Sequence, residues 1–129
     1  MGKRVKALFL TIVVAVLVSS CGGGSGLDTS TQFTTASSNA TLENVGRTIA
    51  TASAYQGWQP RIAGPGRIVA TRHHAGHIAK ISISYTTNSF TIQHLNSDNM
   101  GYTGSSISSV YEDWIDDLRS EIKRRLSAL

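Results

Sequence analysis

Histidines are the residues of this chain best suited to hold a metal ion. The 129-residue sequence contains four of them, three within residues 73–77 (HHAGH) and one at His94. Imidazole nitrogens commonly ligate zinc, copper and nickel, so His73, His74 and His77 are candidate metal ligands. The alternative is structural, with His73 and His74 in a solvated turn and His77 and His94 packed near the ends of a sheet. We favour this structural interpretation and expect no cofactor.

Carboxylates that could act as acids, bases or cation ligands cluster near the C terminus. Glu112, Asp113, Asp116 and Asp117 fall within one predicted helix. A regular helix points such side chains outward over more than one side, so they do not converge on one ion. The sequence also lacks the nucleophile-elbow, zinc-protease, P-loop and dinucleotide-binding motifs. We therefore predict that the protein is not an enzyme.

The single cysteine, Cys21, ends an N-terminal segment with a distinct pattern. A basic start (residues 3–6) precedes an apolar run (residues 7–18), and small residues stand directly before the cysteine. The apolar run is shorter than the roughly 18 to 20 residues that a membrane-spanning helix needs. The pattern is typical of a secretion signal that ends in a lipobox, which predicts residues 1–20 as a lipoprotein signal peptide.

This resemblance to bacterial lipoproteins implies a covalent modification at Cys21. We expect a diacylglyceryl group on its thiol, cleavage of the chain before it, and an acyl chain such as palmitate on the new amino group. Several acyl chains, at ~0.8 kcal/mol per buried methylene, anchor a protein firmly to a membrane. The residue after the cysteine is Gly22. An aspartate at this position would resemble the inner-membrane retention signal of enteric bacteria. We therefore expect the periplasmic side of the outer membrane in a Gram-negative cell, and the outer face of the single membrane in a Gram-positive one.

The net positive charge comes mostly from the predicted signal peptide. Lys and Arg number 12 and Asp and Glu number 8, but removal of Lys3, Arg4 and Lys6 leaves nine cations against eight acids. A nucleic-acid-binding protein usually carries a clustered surplus of Lys and Arg. We therefore expect no nucleic-acid partner. With Cys21 lipidated, no thiol remains for a disulfide or a thiolate metal site.

Residues 21–40 are dominated by Gly, Ser and Thr and contain hardly any aliphatic residue. Linkers of this composition behave as flexible coils, with an end-to-end distance of roughly 5 to 6 Å times the square root of their length. The composition therefore predicts a lipid-anchored flexible tether. A single folded domain is expected in residues 41–129.

Beyond the tether the sequence predicts an α+β domain in the order α-β-β-β-α. Apolar residues recur at helical spacing in residues 41–56, and Gly57 marks the expected end of that helix. A longer apolar stripe over residues 107–126 predicts a second helix. Ser109 followed by Glu112 fits a capping box at its start.

Alternating side chains indicate the strands between the helices. A two-residue turn would place Tyr85 opposite Phe90, and a four-residue loop would place Ala70 opposite Ala79. The result is a three-stranded antiparallel meander with one apolar and one polar face. So small a sheet needs a packed helix to be stable. We therefore predict a two-layer structure with both helices on the apolar face and with Tyr85 and Trp114 buried between the layers.

Aromatic residues and glycines follow a set order along the predicted domain. The order is GW at 57–58, GRIVA at 66–70, ISY at 83–85, SDNMGY at 97–102 and YEDWIDDL at 111–118. It resembles a family of small uncharacterised bacterial lipoproteins over nearly the whole predicted domain. The resemblance implies a location in the cell envelope and carries no biochemical activity with it.

The polar face of the predicted sheet has no covering element. Its short hydroxyl side chains lose little conformational freedom on binding. The candidate binding residues are Ser82, Ser84, Thr91 and Gln93. We expect a non-catalytic, lipid-anchored cell-envelope protein that binds a protein, a glycan or a lipid through this face. The alternative function is a periplasmic metal-binding protein that uses the histidine cluster. The alternative for the polar face is that it is only the solvated side of an antiparallel sheet.

Overall fold

The computed structural model describes residues 29–129, so the predicted signal peptide and Cys21 lie outside the described residues. This part of the chain contains two helices and five strands. The strands are β1 (Thr29–Gln32), β2 (Gln59–Gly64), β3 (Arg67–His74), β4 (His77–Tyr85) and β5 (Ser89–Asp98), and the helices are α1 (Leu42–Tyr55) and α2 (Ser109–Ser127). The predicted α+β class is confirmed.

All five strands form one antiparallel sheet in the order β1-β5-β4-β3-β2. The predicted count of three strands is wrong, because one strand is missing from the prediction at each edge of the sheet. β2 contains Pro60 and Gly64, which suggest an irregular connection. Proline is nevertheless compatible with an edge strand, where a backbone N–H is not needed for pairing on the outer side.

The other edge strand shortens the predicted tether. β1 pairs with β5 from Thr29 opposite Ile92 to Gln32 opposite Ser89. The next residue, Phe33, is only 7% exposed and packs against another core phenylalanine. Ser and Thr are common in linkers, but the β-branched threonines also favour strands. The folded part therefore includes residues 29–40, and the predicted boundary at residue 41 is corrected.

The register of the β3–β4 hairpin differs from the prediction by two residues. Ala70 lies opposite Ile81 and not opposite Ala79, because a tight turn at Ala75 and Gly76 replaces the four-residue loop. These two residues have φ angles of 52° and 80°, as a two-residue turn of the kind that joins antiparallel strands requires. Alanine rarely adopts a positive φ, so the sequence does not indicate this turn. A shift of two residues keeps each side chain on its predicted face.

The core lies between the helices and one face of the sheet. The predicted β4–β5 register, with Tyr85 opposite Phe90, is confirmed. Alternate residues of β3, β4 and β5 join residues of both helices in one buried cluster. The main strand members are Ile68, Ala70, Ala79, Ile81, Ile83, Tyr85, Phe90 and Ile92, and the main helix members are Val45, Ile49, Trp114, Leu118 and Ile122. The predicted burial of Tyr85 and Trp114 is also confirmed, with 7% and 6% of each residue exposed.

Two tryptophans and an arginine close one end of this core. The rings of Trp58 and Trp114 meet edge to face, with centroids 6.1 Å apart and an interplanar angle of 85°. The guanidinium carbon of Arg72 lies 4.4 Å from the centroid of the Trp114 ring. Arginine over an indole face gains a cation–π attraction. The guanidinium group of Arg72 also lies close to Gly57, where a Cβ atom would be 3.6 Å from the arginine Nε.

The start of α2 differs in detail from the predicted capping box. Ser108, and not Ser109, is the N-cap residue, and its side chain makes no capping hydrogen bond. Its hydroxyl instead contacts the sulfur of the buried Met100 at 3.5 Å. The N-terminal end of α2 is therefore attached to the core by a contact between Ser108 and Met100.

A close approach between α1 and β4 depends on a glycine. Gly46 is buried in α1, and a Cβ atom at this position would overlap the hydroxyl group of Tyr85. The Cζ atom of the tyrosine ring would also lie only 2.8 Å away. The absence of a side chain at Gly46 therefore lets α1 lie directly against the tyrosine ring.

Substitution Gly46→Ala tests this fit. Alanine is the better helix former by ~1 kcal/mol, but overpacking against a buried ring typically costs ~1 to 3 kcal/mol. We expect a net loss of unfolding free energy, measured by urea denaturation with tryptophan fluorescence. The loss should be smaller in a Tyr85→Phe background, because the clashing hydroxyl is gone. A Gly46→Ala variant that is more stable than the wild type would show that α1 does not approach the ring so closely.

Candidate functional site

The structure separates one of the three candidate metal ligands, His73, from the other two. His74 and His77 pair across the β3–β4 hairpin, whereas His73 alternates to the opposite face of the sheet. The Nδ1 atom of His77 donates a hydrogen bond to the carbonyl oxygen of Asn99 at 2.6 Å. Its ring also meets Trp114 edge to face, with centroids 6.4 Å apart. Among the described residues, no group of three or more metal-ligating side chains is brought together.

His94 lies among aromatic rings on the core side of the sheet. Its ring centroid is 4.2 Å from that of Tyr102 and 5.3 Å from that of Tyr111. Its Nε2 atom is 3.0 Å from the hydroxyl of Ser97. A serine beside an imidazole can form a nucleophile and base pair. Here the two residues flank a bulge at Leu95 in β5, so we interpret the hydrogen bond as support for that bulge.

The acidic residues of α2 do not form a site. Glu112, Asp113, Asp116 and Asp117 are all exposed. Asp116 is paired with Arg119, which donates a hydrogen bond to it at 2.8 Å. This arrangement is that of a solvated helix face with a local ion pair.

Glu121 is the one buried carboxylate in the described part of the chain, with 8% of the residue exposed. It accepts hydrogen bonds from Arg124 at 2.7 and 3.1 Å and from Arg125 at 2.6 Å. These hydrogen bonds lower the pKa of the Glu121 carboxyl from its ordinary value of 4.5 to about 2. The bonds from Arg124 have the largest effect, and the bond from Arg125 has the second largest. The guanidinium carbon of Arg125 also lies 5.0 Å from the centroid of the Tyr55 ring of α1. The cluster therefore connects the two helices.

The face of the sheet opposite the core, called here the open face, consists of the other alternate residues of β2 to β5. Its members include Gln59, Arg61, Arg67, Val69, Thr71, His73, Ile78, Lys80, Ser82, Ser84, Thr91, Gln93, Asn96 and Asp98. None of them belongs to the buried cluster that contains both helices. All except Val69 and Ser82 are exposed or half-buried. The open face is thus left to solvent by the described part of the chain.

The four candidate binding residues differ in their accessibility. Ser84 and Gln93 are exposed and Thr91 is half-buried, but Ser82 is only 3% exposed. The Nε atom of Arg67 donates a hydrogen bond to the hydroxyl of Ser82 at 3.2 Å. The interpretation of Ser82 as an exposed binding residue is therefore corrected, because its hydroxyl positions an arginine.

Two cations of the open face were not indicated by the sequence patterns. Arg61 lies in β2, whose sequence contains the proline and glycine typical of an irregular connection. Only the pairing of Arg61 with Val69 shows which face of the sheet it occupies. Arg67 begins β3 beside the Ser82 hydroxyl. Arg61, Arg67 and Lys80 are exposed, and none of them takes part in the ion pairs of residues 29–129. The open face therefore presents three cations that have no carboxylate partner within the described fold.

Comparison with known proteins does not assign the chain to a family. No protein-family model matches the sequence, and no curated protein is significantly similar to it. Within residues 29–129, neither helix is long and apolar enough to cross a membrane.

The carboxyl group of Glu121 predicts a pH dependence of stability. A pKa that is lower in the folded state means that this group stabilises the fold above about pH 4.5 and that its contribution is lost as the pH falls towards 2. We expect Glu121→Gln to lower the urea midpoint at pH 7. We also expect the difference from the wild type to shrink between pH 4.5 and 2. A difference that stays constant over this range would show that the two arginines do not stabilise the ionised carboxylate.

Proposed function

We propose that this protein is a non-catalytic, lipid-anchored protein of the bacterial cell envelope whose folded part binds a partner through the open face. The observation that carries the binding role is the exposure of Arg61, Arg67 and Lys80 without carboxylate partners in the described fold. Exposed cations next to hydroxyl and amide side chains offer both charge and directional hydrogen bonds.

The anchoring part of the proposal rests on the lipobox at Cys21 and on the resemblance to small bacterial lipoproteins. Gly22 after the cysteine favours the periplasmic side of the outer membrane in a Gram-negative cell. Seven residues separate Cys21 from Thr29, and a chain of this length spans at most about 25 to 30 Å. An anchored cysteine would therefore keep the start of β1 near the membrane surface.

The non-catalytic part of the proposal rests on how the reactive side chains are used. His77 is held by a backbone carbonyl group and a tryptophan ring, and His94 lies among tyrosine rings beside a bulge. Glu121 is bound by two arginines. These contacts favour structural roles for the groups that could otherwise act as acids, bases or nucleophiles.

Substitution Cys21→Ala tests the anchor. Without the thiol no diacylglyceryl group can be attached, so we expect the precursor to keep its signal peptide. Intact-mass spectrometry of the membrane fraction should show a heavier, unlipidated polypeptide. Equal masses of the wild-type and Cys21→Ala chains, apart from the substituted side chain, would contradict lipidation at this residue.

A photo-crosslinking amino acid placed on the open face tests the binding surface. Gln93 is exposed on the open face, and Thr51 is an exposed control on α1. After irradiation of intact cells, we expect adducts of higher mass from the Gln93 position and none from the Thr51 position. Adducts from Thr51 alone would place the binding surface on the helices and overturn the proposal.

A further inference from the structure

The acids of residues 29–129 lie almost entirely on the helices, whereas both layers carry cations, those of the helices being Arg47, Arg119, Lys123, Arg124 and Arg125. The strands carry four cations (Arg61, Arg67, Arg72 and Lys80) and one acid, Asp98, whereas the other six acids all lie in α1 and α2. Arg72 is on the core side, over a tryptophan ring. The open face therefore has three cations against one acid, which makes it complementary to an anionic partner.

Two of the cations are spaced along β4. The hydrogen bond from Arg67 to Ser82 draws the arginine towards β4, and Lys80 lies two residues before Ser82 on the same face. Two strand residues span about 7 Å. Lys80 makes no ion pair with Asp98 or any other described carboxylate. The backbone of Lys80 is thus about 7 Å from that of Ser82, whose hydroxyl accepts the hydrogen bond from Arg67.

The third cation lies two strands away. Arg61 pairs with Val69, which in turn pairs with Ser82, so these residues form one row across the sheet. Neighbouring strands are about 4.8 Å apart, which puts the backbone of Arg61 about 10 Å from that of Ser82. Three cations spread over such distances match a partner with several anionic groups better than a single carboxylate or phosphate.

A shallow depression lies beside Lys80 on the open face. It has a volume of about 350 Å³, and its lining includes Thr71, His73, Ile78, Lys80, Asn96 and Asp98. The half-buried Ile78 offers an apolar surface, and the polar residues around it offer hydrogen-bond donors and acceptors. A sugar ring has this combination of an apolar C–H face and peripheral hydroxyl groups.

We infer that the open face binds an acidic polysaccharide, a chain of sugar rings that carries carboxylate or phosphate groups at intervals. This inference rests on the proposed function, since it names the partner of the same face. Arg61, Arg67 and Lys80 pair with successive anionic groups of the polymer. The depression beside Lys80 accepts one ring, and Ser84 and Gln93 hydrogen-bond to hydroxyl groups of its neighbours.

Other anionic partners fit the open face less well. Protein interfaces are usually anchored by tryptophan, tyrosine and arginine, and of these three residue types the members of the open face include only arginine. The surface of an anionic bilayer would attract the cations, but it would leave the depression unfilled. A polymer of sugar rings uses both the charges and the depression.

Calorimetric titration of the full chain in neutral detergent tests the inference. The probes are an oligouronate, a phosphorylated dextran and an unmodified dextran of similar length. We expect the two acidic glycans to bind and the neutral dextran not to bind. Binding should weaken as NaCl rises from about 50 to about 500 mM, because salt screens exposed charges. Failure of both acidic glycans to bind, or equal binding of the neutral dextran, would overturn the inference.

Two charge-matched double variants locate the binding surface. Arg61→Gln with Lys80→Gln removes one arginine and one lysine from the open face, and we expect affinity to fall about tenfold. Arg47→Gln with Lys123→Gln removes the same charges from the helices, and we expect affinity to change less than about twofold. Equal losses in the two variants would indicate attraction by net charge alone and overturn the inference. Urea midpoints confirm that each variant is folded.

Two additional measurements distinguish an acidic polysaccharide from a partner that offers negative charge alone. Inorganic polyphosphate and vesicles of phosphatidylglycerol supply negative charge without sugar rings, and binding of either as tight as that of the acidic glycans would overturn the choice of a polysaccharide.

Ser82→Ala leaves the charge unchanged but releases Arg67, and we expect weaker glycan binding. Unchanged binding in Ser82→Ala would contradict the role of the positioned arginine. If the glycans fail while the Gln93 crosslinker still forms adducts, the open face remains the binding surface and only its partner is wrong.

Discussion

Two helices can cover only one face of this sheet, and the rest of the structure depends on that constraint. Five strands spaced about 4.8 Å apart span roughly 19 Å, which matches two helices of about 10 Å diameter side by side. Residues of both helices and of one sheet face form a single buried cluster. No helix is left, within the described residues, for the other face.

The close fit of the two layers follows from a few specific contacts. Gly46 lets α1 approach the ring of Tyr85, and the edge-to-face contact of Trp58 and Trp114 closes one end of the core. At the helix–helix contact, Arg125 joins the ionised Glu121 to the α1 side of the structure. Aromatic packing and a hydrogen-bonded carboxylate thus supplement a core that is mostly aliphatic.

The uncovered face must remain compatible with water, and its composition shows how. Short polar side chains and three cations occupy it, and Ser82 is buried beside the side chain of Arg67. The exposed edge strand β2 contains Pro60 and a register irregularity near Gly64. Both features discourage pairing with another sheet. The β2 edge of the sheet is therefore poorly suited to extension by a strand of another protein.

The sequence by itself determined the two helices, the faces to which the side chains of β3, β4 and β5 point, and the apolar face of the sheet. Alternation has a period of two, so the faces remained correct even where the β3–β4 register was wrong by two residues. Only the tertiary structure decided the edge strands, because β1 and β2 lack a strong pattern of their own and are defined by pairing with β5 and β3. It also decided that Ser82 holds Arg67, since this hydrogen bond joins residues 15 positions apart in sequence. Local patterns record which side chains avoid water, whereas the grouping of exposed charges depends on which strands become neighbours.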